Sequence, residues 1–207
     1  RVWESFILNE YDMAMNDDKL ENSHPIANSV NKATEVGEIF DSITYSKGAC
    51  IIRMLVNYLG EKDFKSGLRK YLKKYEYGNA TTNDLWNELS ESSKKDIASI
   101  MDSWIQKMGY PLIHIDIDNH KRLLLKQEKY CLKKPKNESY DSWNTIWSIP
   151  LVILDNENNM DKILMNNKSM VINYKKNCNW IKLNYQQTCF SKTKYSDELL
   201  NRLRNAI

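Results

Sequence analysis

The sequence is poor in the residues that mark specialised classes of protein. With 6 glycines and 4 prolines among 207 residues, it cannot be a collagen-like repeat or a low-complexity chain. The cysteines lie far apart and form no C-x-x-C pair, so they indicate neither a zinc knuckle nor a redox motif, and we expect free thiols in a reducing compartment. The four cysteines are Cys50, Cys131, Cys178 and Cys189.

An excess of one charge and a long apolar run are also missing. The 30 Lys and Arg residues against 27 Asp and Glu residues leave a net charge of +3, and the two signs are interspersed, which leaves no electrostatic footprint for nucleic acid or anionic lipid. No apolar run approaches the ~20 residues of a membrane-spanning helix, and the N-terminus lacks the layout of a signal peptide. We expect a soluble protein without a nucleic-acid or membrane partner.

What is present is the composition of a globular protein, with 42% hydrophobic and 28% charged residues, in a chain long enough for one large domain or two modest ones. The first half has the 3.6-residue period of amphipathic helices. Gly60 is expected to end one helix, and Gly109 with Pro111 to end the last. The predicted helices cover residues 3–16, 45–59, 61–75, a short stretch after the turn and cap at 79–84, and 97–108.

After Pro111 the period changes from 3.6 to 2, which is typical of a strand with one buried face. Ile113 and Ile115 face one way, whereas His114 and Asp116 face the other. The short strands that follow predict a small antiparallel sandwich. Further strands are expected at 122–130, 145–154, 162–165, 170–174 and 180–184, and a last helix at 196–206.

The residues alone give little support for chemistry inside this chain. His24, His114 and His120 are the only histidines; they form no H-E-x-x-H motif and no i, i+4 pair on a predicted helix, so we predict no metal site. His114 and His120 are expected at the surface. For His24, in a segment fixed by proline, a buried hydrogen-bonded role is favoured over a catalytic one. A G-x-S-x-G motif is missing too, so nucleophilic catalysis has no support.

A series of short blocks nevertheless carries a resemblance. They are S-H-P-I at 23–26, E-I-F-D at 38–41, I-T-Y-S-K-G-A at 43–49 and R-M-L at 53–55, then matching blocks at 60–64, 79–81, 84–86, 104–111, 127–128, 149–151 and 180–184. In this order they resemble the zinc metalloaminopeptidase (gluzincin) family, nearest to its puromycin-sensitive branch. So many collinear blocks are far more specific than one short motif.

The resemblance implies an α+β, multidomain fragment of a larger cytoplasmic enzyme. Residues 1–109 would be the helical C-terminal part of a thermolysin-like catalytic domain, 110–192 a small antiparallel β-sandwich, and 193–207 the start of a helical C-terminal domain. The family's zinc-binding H-E-x-x-H and its G-A-M-E-N motif do not occur here. We therefore expect zinc and peptide substrates in the full-length parent, and no metal, cofactor or activity in the isolated 207 residues.

One residue matches a catalytic position of the family. By that resemblance Tyr45 is the transition-state stabiliser, since it begins the Tyr-x-x-Gly block. A neutral phenol can donate a hydrogen bond to the carbonyl oxygen that becomes anionic when water attacks a peptide bond. Without the surrounding block, a Tyr at the start of an apolar helix would be interpreted as core or interface. The alternative function is a non-catalytic scaffold relative that acts in a protein assembly.

The two ends of the sequence carry apolar residues that the missing domains of such an enzyme would cover. Trp3 and Phe6 lie at one end, and Leu199 and Leu203 at the other. We expect an exposed apolar patch at each end, and self-association of the fragment through these patches.

Overall fold

The structure is a computed structural model that describes residues 2–20, 23–28, 37, 40–132, 145–174 and 179–206. The described residues form a helical part followed by two small sheets and a last helix, which is the α+β class predicted from the sequence. The chain passes from helix to strand between Ile105 and Pro111. The division into domains at 109 and 192 stays a prediction.

The N-terminal helical segment runs through a wider π-helical turn. Helix α1 covers Val2–Phe6, the π turn Ile7–Tyr11, and α2 Asp12–Asp18. The residues at both junctions have helical backbone angles, so the axis is continuous. Its inner face buries Tyr11, and also Ala14 and Met15.

A second π turn, Ile43–Lys47, leads into α3 at Gly48–Leu59. Gly60, with φ of 85°, lets α4 follow at once, because a left-handed backbone costs glycine little. The remaining helices of this part are α4 (Glu61–Lys74), α5 (Thr82–Ser93) and α6 (Ile97–Ile105).

Two of these helices show how the local sequence sets their ends. Thr81 and Asp84 form a reciprocal capping box at the start of α5, as the predicted cap requires. The helix predicted at 97–108 is α6 in the structure, and it ends at Ile105 instead of residue 108. It ends early because the carbonyls of Lys107 and Gly109 turn towards the ammonium of Lys47, at 3.2 Å each.

The strands form a four-stranded sheet of order β5-β2-β1-β7 and a three-stranded sheet of order β4-β3-β6. Strands β1 and β2 make the predicted antiparallel hairpin, and Ile113 and Ile115 of β1 are buried as the alternation requires. The strands are β1 (Pro111–Ile117), β2 (Arg122–Lys129), β3 (Ile149–Asp155), β4 (Met160–Met165), β5 (Ser169–Asn173), β6 (Ile181–Leu183) and β7 (Lys192–Tyr195).

Strand β7 is an element that was not predicted from the sequence. It pairs in parallel with β1, Leu112 opposite Lys192, so the larger sheet is mixed. The sequence K-T-K-Y has no apolar alternation to predict a strand, and its position depends on a partner some 80 residues away in the chain. A turn at Tyr185–Gln187 precedes it, and helix α7 (Asp197–Arg204) follows.

Helices and sheets share one apolar core. The rings of Trp104 on α6 and Trp147 before β3 lie 6.3 Å apart, and the Trp104 indole N–H donates a hydrogen bond to the Ser148 carbonyl at 2.7 Å. Tyr110 and Phe190 meet edge to face in the same core. Within the described ranges, no helix has the length and apolar content needed to cross a bilayer.

The predicted apolar ends behave differently from each other. At the N-terminus Trp3 is 58% exposed and Phe6 is half-buried. At the C-terminus Leu203 is half-buried, but Leu199 is buried in the core, because the Ser196 amide bonds the Ile115 carbonyl and draws α7 onto β1. The expectation that Leu199 belongs to an exposed patch was wrong, and self-association stays a prediction.

Candidate active site

Tyr45 lies on the π turn that precedes α3, and 57% of it is exposed. Its ring contacts that of Phe40, with centroids 5.9 Å apart and planes inclined by 33°. Its hydroxyl forms no hydrogen bond with any other residue in the described part of the chain. The phenol is therefore free to donate to a molecule outside the chain.

The π turn is wide because the Lys47 amide bonds five residues back, to the Ser42 carbonyl at 2.9 Å, whereas an α-helical amide bonds four residues back. The Tyr45 amide keeps the α-helical spacing and donates to the Asp41 carbonyl at 3.0 Å. Single π turns inside α-helices occur frequently at functional sites. Two serines anchor the turn to the N-terminal helix, because the Ser46 hydroxyl donates to Glu10 at 2.6 Å and the Ser42 hydroxyl to Asp17.

An ion pair holds the N-terminal end of the turn. Asp41 Oδ1 accepts the Thr44 amide at 2.9 Å, whereas Oδ2 lies 2.5 Å from His24 Nε2. The other ring nitrogen of His24, Nδ1, lies 2.8 Å from the Pro25 carbonyl, to which it can only donate. The ring is thus surrounded by acceptors, which stabilise imidazolium.

The pKa values of this pair follow from the same contacts. Burial lowers the pKa of His24, but the hydrogen bonds to the Pro25 carbonyl and to Asp41 outweigh it and leave the pKa raised. Burial also raises the pKa of Asp41, yet the Thr44 amide and His24 bring it below its ordinary value. Both shifts favour the charged pair.

A second ion pair holds the C-terminal end of the turn. Lys47 Nζ lies 2.9 Å from Asp18 Oδ2, and both side chains are 0% exposed. The other oxygen of Asp18 accepts the Gly109 amide at 2.8 Å and the Ser23 hydroxyl at 2.5 Å. Burial lowers the pKa of Lys47, and Asp18 offsets this only in part. This pair joins α2, the Tyr45 turn and the connection into β1.

Of the three histidines discussed from the sequence, His24 lies next to the candidate site, whereas His114 and His120 lie elsewhere. His24 is hydrogen-bonded as predicted but only partly buried. His114 pairs with Glu128 on the open face of the sheet, and His120 is exposed; their predicted surface location is confirmed.

Cys50 and Cys189 are buried free thiols, Cys131 is half-buried, and Cys178 lies outside the described residues. Burial raises the pKa of Cys50 and of Cys189 to about 12 each. These two thiols are therefore protonated and unreactive at neutral pH.

Sequence reasoning missed the two partners that hold the turn, Asp18 and Asp41. Lys47 and Asp41 belong to the blocks that carry the resemblance, but the burial of Lys47 was not predicted. The available signal was a lysine placed at the start of an apolar helix, where burial requires a carboxylate partner.

The described residues do not fit a zinc site. Across the described ranges, no three or more His, Cys, Asp and Glu side chains come together closely enough to hold a metal ion. The groups gathered around Tyr45 are instead paired with one another, as His24 is with Asp41 and Lys47 with Asp18. What this arrangement offers chemically is a fixed, exposed hydrogen-bond donor.

Known proteins are similar to this sequence over 96% or more of its length. The peptidase family M1 domain matches residues 1–104. The alanine/arginine aminopeptidase of Saccharomyces cerevisiae is 37% identical over 96% of this chain and 23% of its own length. The puromycin-sensitive aminopeptidase of Caenorhabditis elegans is 34% identical over 98% of this chain and 22% of its own length.

One relative is named for a protein with which it interacts and not for an aminopeptidase activity. The tricorn protease-interacting factor F2 of Thermoplasma volcanium is 35% identical over 100% of this chain and 24% of its own length. The chain thus spans about a quarter of the length of these relatives. Together the matches confirm the resemblance drawn from the short blocks, and the chain belongs to peptidase family M1.

Proposed function

We propose that this chain is part of a zinc-dependent aminopeptidase that removes N-terminal residues from peptides, and that it contributes Tyr45 as the transition-state stabiliser. The observation that carries the proposal is the state of Tyr45, whose phenol is exposed while its backbone is fixed. The aminopeptidase names of its relatives support the same reaction class. The two free, buried thiols of Cys50 and Cys189 agree with a cytoplasmic location.

The reaction requires a hydrogen-bond donor whose interaction with the substrate's carbonyl oxygen strengthens as that oxygen becomes negatively charged. When water adds to a peptide carbonyl, the oxygen becomes anionic and the carbon tetrahedral. The Tyr45 hydroxyl would donate a hydrogen bond to this oxygen without changing its own charge. A preorganised donor of this kind lowers the barrier by about 3 to 4 kcal/mol. Because the π turn is held at both ends, no reorganisation is needed as the charge appears.

The proposal assigns zinc, which the family resemblance implies, to another part of the full-length enzyme. It likewise assigns the general base and the groups that bind the substrate's N-terminus to that part. The 207 residues alone are then expected to bind zinc weakly and to release no amino acid from an aminoacyl reporter. Stoichiometric zinc after dialysis of the chain would contradict this assignment.

The test of the proposal is the substitution Tyr45→Phe in the full-length enzyme. The substitution removes one hydroxyl and almost no volume, so the fold should persist. We expect kcat to fall about 100- to 1000-fold and KM to change less than about threefold. The matched control is Tyr77→Phe, because Tyr77 is fully exposed and its hydroxyl should not matter.

Two outcomes would contradict the proposal in different ways. A Tyr45→Phe enzyme that keeps more than about a tenth of its turnover would remove Tyr45 from the reaction. A full-length protein with no peptidase activity at all would favour the scaffold alternative.

A further inference from the structure

The side chain and the main chain of Asp41 both act on the backbone that carries Tyr45. Its carbonyl accepts the Tyr45 amide at 3.0 Å. Its carboxylate Oδ1 accepts the amide of the preceding residue, Thr44, at 2.9 Å. Asp41 therefore sets the direction in which the first turn of the helix leaves the loop, and with it the direction of the Tyr45 side chain.

His24 fixes the carboxylate of Asp41 in this arrangement. Its Nε2 lies 2.5 Å from Oδ2, the oxygen that Thr44 leaves free. The ring itself is oriented by the bond from Nδ1 to the Pro25 carbonyl. The loop that carries it is tied to α6, because the Ala27 amide donates to the Ile105 carbonyl at 2.8 Å. A chain of polar contacts thus connects α6 to the Tyr45 turn.

The position of the Tyr45 phenol depends on this backbone more than on side-chain packing. More than half of Tyr45 is exposed, and its ring neighbour Phe40 is itself 63% exposed. Because this ring contact is itself exposed, the direction of the Tyr45 side chain is set mainly by the main chain that carries it. Displacement of a reacting group by about 1 Å can cost ~100-fold in rate.

We propose that Asp41 is a positioning residue for Tyr45, and that His24 holds the Asp41 carboxylate in the orientation this requires. The inference rests on the proposed function of Tyr45 and adds the two residues that orient its side chain. Neither residue contacts the reacting atoms in this account; both act through the turn.

The test compares substitutions that remove different parts of the arrangement in the full-length enzyme. Asp41→Ala removes both carboxylate contacts and should lower kcat about 10- to 100-fold. Asp41→Asn keeps an oxygen for the Thr44 amide but loses the charge opposite His24, so the loss should be about 3- to 10-fold. In each variant KM should stay within about threefold, because the substrate's ground state does not bind Asp41.

The chain offers matched controls for both residues. Asp96 caps α6 as Asp41 caps the turn, with Oδ1 accepting the Ser99 amide at 3.1 Å. His114 pairs with Glu128 at 2.9 Å as His24 pairs with Asp41. Asp96→Ala and His114→Gln should leave kcat within about twofold, whereas His24→Gln should lower it about 3- to 10-fold.

A double-substitution cycle separates positioning through Tyr45 from a general structural role. In the Tyr45→Phe background there is no hydroxyl to aim, so Asp41→Ala should change kcat by less than about twofold. An equal loss in both backgrounds, or no loss in the wild-type background, would overturn the positioning role while the Tyr45 assignment stands. A Tyr45→Phe enzyme with unchanged kcat would overturn the proposed function, and the positioning role with it. Should Asp41→Ala not fold, Asp41→Asn and His24→Gln carry the same cycle.

Discussion

Two ion pairs hold the Tyr45 turn, and they differ in their access to water. At its N-terminal end, the side chains of His24 and Asp41 are 25% and 34% exposed. At its C-terminal end, those of Lys47 and Asp18 are 0% exposed. Water screens the first pair, so it contributes little to stability and can respond to pH. The second pair has lost its water, so each charge depends on its partner.

The buried pair is satisfied beyond the ion pair itself. Lys47 also donates to the carbonyls of Lys107 and Gly109. Asp18 accepts from Gly109 and Ser23. A buried charge with this many partners is costly to disturb. The comparison indicates that the buried pair makes the turn rigid, whereas the exposed pair sets its orientation.

The largest effect that tests this comparison is expected for Lys47→Met. The substitution leaves the Asp18 carboxylate buried without a cation, so the free energy of unfolding should fall by about 3 to 5 kcal/mol. Urea denaturation of the chain measures this loss. Lys65→Met is the matched control, because Lys65 forms an exposed pair with Glu61 and should cost nothing measurable.

The double variant Asp18→Asn, Lys47→Met sharpens the same prediction. Without either charge, the buried site no longer holds an unpaired ion, so the double variant should be more stable than Lys47→Met alone. A double variant that loses the sum of the two single losses would show that the pair is not coupled.

A smaller effect is expected where a buried cation is satisfied by carbonyls. The Arg53 guanidinium donates to the carbonyls of Gln186 and Gln187, both of which have a left-handed backbone. Arg53→Met should lower the free energy of unfolding by about 1.5 to 3 kcal/mol, because hydrogen bonds from a charged group are lost. A loss as large as that of Lys47→Met would mean that burial alone, rather than an unpaired opposite charge, sets the cost.

The smallest effect should be the pH dependence contributed by His24. Its pKa is raised in the folded chain, so its stabilisation is fully present below about pH 6.5 and is lost as pH rises through the raised value. The pKa of Asp41 is lowered, so its part is present above about pH 4 and is lost on further acidification. The charges that act on His24 are Asp41, which raises its pKa, and Lys47, which lowers it.

The measurement is the difference in unfolding free energy between the wild-type chain and His24→Gln as a function of pH. The difference should be greatest between about pH 4 and 6.5, and no more than about 1 kcal/mol, because water screens the pair. A difference that grows above pH 8 would contradict the assignment of His24 as the charged partner.

Local pattern predicted the elements well where one chain segment determines its own structure. The alternation of Ile113 and Ile115 predicted β1, and the Thr81 cap predicted the start of α5, both correctly. The π turns were not predicted, because each covers only five residues, too few for a separate period to show in the apolar pattern. Strand β7 was missed because its pairing with β1 is a long-range, parallel contact that local sequence does not encode.

The residues of the candidate site also fall into those that the sequence predicted and those that only the folded structure identified. Tyr45 could be named only through the resemblance of its surrounding block, since an exposed tyrosine has no local signature. The pairing of Lys47 with Asp18 joins residues that are distant in sequence, and only the folded chain brings them together. His24 was predicted to be hydrogen-bonded, but its partner Asp41 came from the structure.

The most direct test of the central claim compares a tetrahedral ligand with a planar one in the full-length enzyme. A phosphinic peptide represents the tetrahedral state, and the N-methylated peptide of the same sequence represents the planar ground state. If Tyr45 stabilises the oxyanion, Tyr45→Phe should weaken binding of the phosphinic peptide about 100-fold and that of the planar peptide less than about threefold. Equal weakening of both ligands, or of neither, would contradict the account.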